Sequence, residues 1–228
     1  MGRQLAFDLP VRPALGRAEF FVSPANALAV HAVDGWAGWP LGKLVLTGPP
    51  GSGKTHLAHV WAAEAGARIV AARDLAGMDI PALAAARRVA VEDVPDIGGD
   101  AAAEEALFHL HNLLAEAGGR LLLTGAGQPA RWPIALPDLA SRVQGASVAT
   151  LEAMDDQLLT ALLVKLFADR QLNVGHGVIA WLVRRMERSF AEARRIVSEL
   201  DRRALAEKRK VTRDMAAAVV DNPGDEAQ

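Results

Sequence analysis

From Lys43 onward the chain alternates short apolar runs with longer stretches whose apolar residues recur every three or four positions. The runs are Leu44 to Thr47, Arg68 to Ala71, Val89 to Glu92, Leu121 to Thr124 and Ser147 to Thr150. Runs this short, with little polar alternation, predict strands buried on both faces, as in a parallel sheet. Between them, Lys54 to Ala65, Ile80 to Ala86 and Ala102 to Ala117 have helical composition and period, and in the third Leu107, Leu110, His111 and Leu114 share one face. This alternation builds βαβ units, so the expected class is α/β: a five-stranded parallel sheet flanked by helices.

After Thr150 the strand runs stop. Asp155 to Arg170, Gly177 to Arg188 and Phe190 to Glu207 are consecutive helical patterns, and Thr212 is placed to cap a last short helix ending near Asp221. Phe190, Ala193, Ile196, Val197, Leu200 and Ala204 follow three- and four-residue spacing, so one face of that helix packs. A small all-α domain over residues 151–228 is therefore expected to follow a sheet domain over residues 20–150. Residues 1–19 carry Pro10, Pro13 and Gly16 with no sustained period and read as a flexible arm, while Asn222 to Gln228 is expected to fray.

Composition narrows the function classes more than the fold. With 228 residues, 51% hydrophobic and 23% charged, the chain can bury a sizeable core. The absence of cysteine excludes disulfides, thiolate zinc sites and cysteine nucleophiles. Met1 to Pro10 scatters Arg3, Gln4 and Asp8 among its apolar residues, unlike a secretory signal, and no window has the length of a membrane span, which makes the cytoplasm the default and a membrane partner unexpected. The net charge of -2 hides an uneven distribution, because Arg184 to Arg213 holds eleven Lys or Arg against five Asp or Glu. That stretch is either a solvated helical surface or an anion-facing one, and the sequence leaves both open.

The most specific chemistry lies at Gly48-Pro49-Pro50-Gly51-Ser52-Gly53-Lys54-Thr55, between the first strand and the first long helix. Glycines at this spacing let consecutive backbone N–H groups curl around a phosphate at a helix N-terminus; Lys54 can reach the β- and γ-phosphates and Thr55 can offer its hydroxyl to Mg²⁺. Such a site needs an acid at the end of a neighbouring strand, and Val89 to Asp93 supplies two. Glu92 takes the metal-side position and Asp93 the position that polarises water. Neither is the usual choice there, because a longer carboxylate binds metal less directly and a shorter one reaches water less well. Nucleotide binding is thus expected more than fast intrinsic hydrolysis. Thr124 ends the fourth run with a hydroxyl beside the expected phosphates. Arg142, at the end of a short helix before the fifth run, is read either as a surface ion-pair residue or as an arginine serving a neighbouring subunit's γ-phosphate.

Read together, these motifs resemble the AAA+ proteins of the DnaA family, over about Phe20 to Val220. Phe20 to Ala29 is similar to that family's adenine-side motif, which implies nucleotide contacts for Phe21, Val22 and Asn26. Gly53-Lys54-Thr55-His56-Leu57 is similar to its P-loop exit, bringing in His56, and Leu139-Ala140-Ser141-Arg142 to its arginine-finger motif. The resemblance further implies a sensor arginine in the third lid helix, at Arg194 with Arg195 as the alternative. No room remains for the initiators' helicase-loading and helix-turn-helix domains. Instead, Gln4-Leu5-Ala6-Phe7-Asp8-Leu9 is similar to the peptide with which proteins dock on the DNA polymerase III sliding clamp, using Gln4 for hydrogen bonds and Leu5, Phe7 and Leu9 for a pocket on the clamp's beta subunit. The combination resembles the Hda-type regulators of this family. It implies bound ADP or ATP with Mg²⁺, the initiator DnaA and the clamp as partners, DNA contacted through the clamp, and Arg142 acting in trans to prevent over-initiation. A DNA-binding loader or remodeller and a self-sufficient ATPase are the alternatives, and the oligomeric state, a homo-oligomer included, stays open.

Overall fold

The structure is a computed structural model that describes Val22 and residues 26–221. Five parallel strands, β1 (Lys43–Thr47), β2 (Arg68–Ala71), β3 (Arg88–Glu92), β4 (Arg120–Gly125) and β5 (Ser147–Thr150), form one sheet in the order β2-β3-β4-β1-β5. Every expected run is a strand. Three begin one residue early, because Lys43, Arg88 and Arg120 still pair in register at the sheet's lower edge. The expectation of burial on both faces holds for β1, β3 and β4. It needs correcting for β2 and β5, which are the two edges and keep exposed positions.

The uninterrupted apolar runs have a simple cause. Leu44 and Leu46 of β1, Ala90 of β3 and Leu122 of β4 point to one face, under α1 (Ala27–Asp34) and α2 (Lys54–Ala65). Val45, Val89, Val91, Leu121 and Leu123 point to the other, under α3 (Ile80–Ala84), α4 (Ala101–Glu116) and α5 (Pro137–Gln144). With a helical layer on each side, every strand position needs an apolar residue. The helix α1 was not expected from the pattern. It is held to α2 through Trp39, whose ring stacks on Trp61 at 5.2 Å while its indole N–H donates to the Ala32 carbonyl at 2.8 Å. The helix α3 stops two residues short of its expected end as the chain turns through Arg87 at φ 61.

The strands are followed by α6 (Asp156–Asp169), α7 (His176–Arg185), α8 (Phe190–Glu207) and α9 (Arg213–Asp221) around their own core, with Leu159, Leu163, Leu182, Ile196, Val197 and Leu200 inside. Side-chain caps set three of their starts. Asp155 accepts from the Leu158 amide at 2.7 Å, Ser189 from Glu192 at 3.0 Å, and Thr212, the expected cap, from Met215 at 3.3 Å.

One buried acid ties the loop before α5 to α4. Glu104, 1% exposed, accepts from the amides of Gly99 at 2.7 Å, Ala135 at 3.0 Å and Leu136 at 2.6 Å. Burial alone would raise its pKa, but the three backbone donors outweigh it and hold the carboxyl below the ordinary value of 4.5. A depressed folded pKa gives stability that is present above about pH 4.5 and lost as pH falls through the folded value. Glu104→Ala should cost about 3 kcal/mol or more in urea unfolding at neutral pH, since it strands three donors. Glu104→Gln should cost less and flatten the acid limb of the stability profile. An Ala variant as stable as the wild type would show that these contacts carry no net stability.

Candidate nucleotide site and the lid above it

The loop between β1 and α2 is shaped by glycines that have no room for a side chain. A Cβ at Gly48 would lie 2.6 Å from the Leu151 carbonyl oxygen, one at Gly51 2.6 Å from Cβ of Ser189, and one at Gly53 2.7 Å from the Phe190 ring. Gly51 and Gly53 also sit at φ 75 and 98, where L-residues are strained. Pro49 and Pro50 carry the chain between them. The result is a loop that opens onto the start of α2, a helix with no side-chain cap, so its first-turn N–H groups face the space an anion would fill. Lys54 folds over the loop, donating to the Gly48 and Pro49 carbonyls at 2.9 Å each. Burial lowers its pKa, and the charge of Asp93 partly opposes this. Ser52 Oγ is buried with no hydrogen-bond partner among the described residues, and Thr55 is exposed on the first turn.

The acidic pair splits. Asp93 takes a left-handed conformation at φ 56 and ψ 48, and its amide donates to Oγ1 of the fully buried Thr124 at 3.1 Å. Thr124 therefore fixes the backbone of Asp93, whose carboxylate acts on Lys54. Glu92 turns towards α2, with Oε2 3.9 Å from Nε2 of His59 and Oε1 buried without a hydrogen-bond partner among the described residues. No cluster of three or more His, Asp or Glu able to cage a metal occurs among the described residues. Thr55, one carboxylate and phosphate oxygens are nevertheless the sparse donor set that suits Mg²⁺, which keeps most of its waters.

The lid closes over this loop through residues the sequence reading passed over. Ser189 and Phe190 touch Gly51 and Gly53, and His56 meets the Phe190 ring edge-to-face at 5.4 Å. The signal was available as a capping box, Ser189 to Glu192, directly before an apolar helix face. Arg194 is one turn further along α8, and its charge reaches His56. Arg195 is occupied elsewhere, bidentate on Glu192 at 2.7 Å and reaching the Val219 carbonyl at 3.5 Å. Of the adenine-side residues, Asn26 is buried at the start of α1, which packs on α2 and β5, and Val22 is exposed. Phe21 and the clamp-peptide residues Gln4, Leu5, Phe7 and Leu9 lie outside the described residues.

Arg142 is not brought to the loop. It is exposed in the last turn of α5, and its carbonyl accepts from Nζ of Lys43 at 2.8 Å. Lys43 begins β1 while the P-loop follows Thr47 at its other end, about 13 Å away along the strand. Lys43 is 4% exposed, lies 3.2 Å from Nε2 of His111, and has its pKa lowered by burial and then by Arg142. Burial is the main cause that pushes the His111 pKa down; the Asn112 hydrogen bond opposes it, and Lys43 and Arg142 add smaller downward pushes.

The five-stranded sheet, its glycine loop and the helical lid make up a P-loop fold of the AAA+ type. Domain III of the replication initiation protein DnaA from Thermotoga maritima superposes with a TM-score of 0.79 at 20% identity, covering 94% of this chain and 98% of that one. AMPPCP-bound DnaA from Aquifex aeolicus gives 0.69 at 19%, covering 86% and 70%. The RuvB Holliday junction branch migration motor of Thermotoga maritima gives 0.61 at 18%, covering 79% and 61%. Residues 155–216 match the family model described as "Hda, lid domain". The lid is therefore similar to that of Hda, and the fold of the whole is similar to that of DnaA domain III. Among the described residues no helix is long and apolar enough to cross a membrane.

His56 gives this packing a pH signature. Burial, Arg194 and His59 push its pKa down to about 4 from 6.5. The neutral ring belongs to the folded state, so its stability contribution is complete above about pH 6.5 and is lost as pH falls towards 4. The shift corresponds to a loss on the order of 3 kcal/mol. The His56 ring resonances should not titrate above pH 5; a midpoint near 6.5 would place the ring in water and the lid off the loop.

Proposed function

We propose that this chain is an adenine-nucleotide-bound regulator of replication initiation that docks on the sliding clamp and lends Arg142 to ATP held by DnaA. The observation that carries this reading is the position of Arg142 at the opposite end of β1 from the chain's own P-loop. An arginine finger acts by placing fixed positive charge where the transferred phosphoryl group gains negative charge. At that distance Arg142 cannot do so for its own nucleotide, whereas an exposed arginine without an ion-pair partner among the described residues is free to do so for another molecule's. The Hda-type lid and the DnaA-like fold favour the initiator as that molecule.

In this reading Gly48 to Thr55 and His56 hold ADP or ATP, with Asn26, Val22 and Phe21 on the adenine side, and Thr124 and Arg194 on the phosphate side. Mg²⁺, when bound, neutralises phosphate charge and would rest on Thr55 and the Glu92–Asp93 pair. The nucleotide's role here is structural: it holds loop and lid together while Arg142 acts elsewhere. Gln4, Leu5, Phe7 and Leu9 bring the protein to the beta clamp.

Arg142→Ala should keep ADP affinity and clamp binding and lose the stimulation of DnaA ATP hydrolysis on clamp-loaded DNA, a loss of about 10³-fold or more if the finger carries its usual weight. Lysine at 142 should rescue poorly, for want of the planar fork. Normal stimulation by Arg142→Ala would move the finger to the initiator. Replacing Gln4 and Leu5 together with Ala should remove most clamp affinity in a pull-down while leaving ADP binding unchanged; undiminished clamp capture would remove the arm from the account.

A further inference from the structure

The lid's basic residues fall into two sets. Along α6 and α8 all but Arg194 are paired, Lys165 with Asp169, Arg170 with Asp201, Arg195 with Glu192, and Arg202 and Arg203 with Glu199. Among the described residues, Arg184, Arg185, Lys208, Lys210 and Arg213 have no carboxylate within ion-pair distance, and all five are exposed. They occupy the end of α7, the connection between α8 and α9, and the first residue of α9. Trp181 joins these places, since the guanidinium carbons of Arg185 and Arg213 lie 5.3 and 5.8 Å from the centroid of its buried ring. Two like charges are thus pinned to one aromatic side chain with no acid bridging them among the described residues; Glu207 is taken by Arg209, and Asp214, next to Arg213 in the first turn of α9, is within ion-pair distance of neither arginine.

We propose that this face binds the phosphate backbone of duplex DNA directly. The chain's own nucleotide is not its ligand at the Lys208 end, because Lys208 follows the full length of α8, 18 residues and about 27 Å from the contact of Ser189 with the loop. An acidic protein surface fits less well. Protein interfaces are depleted of lysine and centred on accessible aromatic or apolar side chains, while here the aromatic ring is buried under the cations. A row of unpaired Lys and Arg suits the evenly spaced charges of a nucleic-acid backbone. The inference rests on the proposed function in one respect: a clamp-docked protein sits beside the DNA threading the clamp, so weak non-specific contacts suffice.

The test is binding of the full chain, with ADP and without clamp, to a fluorescent 30-base-pair duplex by anisotropy. Five neutralised phosphates would weaken binding about 10²- to 10³-fold between 50 and 200 mM salt. A triple variant, Lys208→Gln with Lys210→Gln and Arg213→Gln, should weaken binding at 50 mM and reduce that salt effect to about 10-fold. ADP affinity should be unchanged in the variant, which reports that loop and lid remain intact. No binding at 50 mM, or the same salt dependence in the variant, would overturn the proposal. So would a variant that loses affinity for DNA-free clamp, because the face would then serve a protein. None of these outcomes depends on Arg142 or the N-terminal arm, so the proposed function stands or falls separately.

Discussion

Phe190 lies against Gly53, and a single added carbon at that glycine would come within 2.7 Å of its ring. This contact makes the phosphate loop and the lid one mechanical unit. The loop's curl depends on glycines for its dihedral angles, and the lid depends on the same glycines for room. His56 completes the joint from the α2 side, and its neutral ring follows from being enclosed by Phe190 while Arg194 stands nearby. Arg194 is on the same helix as Phe190, so the packing that closes the lid also sets how far a cation stands from the loop. Moving α8 would open the loop and withdraw that charge together.

The central strand then separates two chemistries. At the Thr47 end are the loop, Lys54 and Asp93, the groups that would meet a bound phosphate. At the Lys43 end is an ammonium buried with no carboxylate, an arrangement that costs several kcal/mol unless other partners replace the lost water. Here the partners are the Arg142 carbonyl, at the negative end of α5, and the lone pair of a neutral His111. Lys43 therefore pins the backbone of the last turn of α5 to the sheet and leaves the Arg142 side chain outside. Glu104 holds the other end of the same segment through Ala135 and Leu136. Arg142 is thus exposed on a helix tied at both ends, without an ion-pair partner among the described residues.

Much of this was legible in the sequence because the same physics writes both. A strand covered on two faces must be apolar throughout, which made β1, β3 and β4 readable, and a helix with one buried face must repeat every three to four residues, which made α4 and α8 readable. The phosphate loop was legible because its dihedral angles admit few residues. What stayed hidden depends on contacts between distant segments. The eight residues of α1 show no helical signal strong enough to separate them from a loop, and only the stack of Trp39 on Trp61 explains their docking. Spacing placed Glu92 and Asp93 side by side but could not say that their carboxylates part company. Arg194 and Arg195 likewise differ only in that Glu192 is within reach of one of them.

The division between Glu92 and Asp93 bears on what such a site can do. Fast hydrolysis needs a metal-side acid, a group to orient water and a positive charge for the transition state, all converging on the γ-phosphate. Only Asp93 acts electrostatically on Lys54; Glu92 is drawn towards His59 on α2. The backbone of Asp93, in a left-handed conformation, is held by Thr124. Arg142 lies at the far end of β1, with its backbone carbonyl held by Lys43. These groups do not converge on the loop in the way that fast hydrolysis requires. The same geometry leaves Arg142 on the surface, away from the chain's own loop.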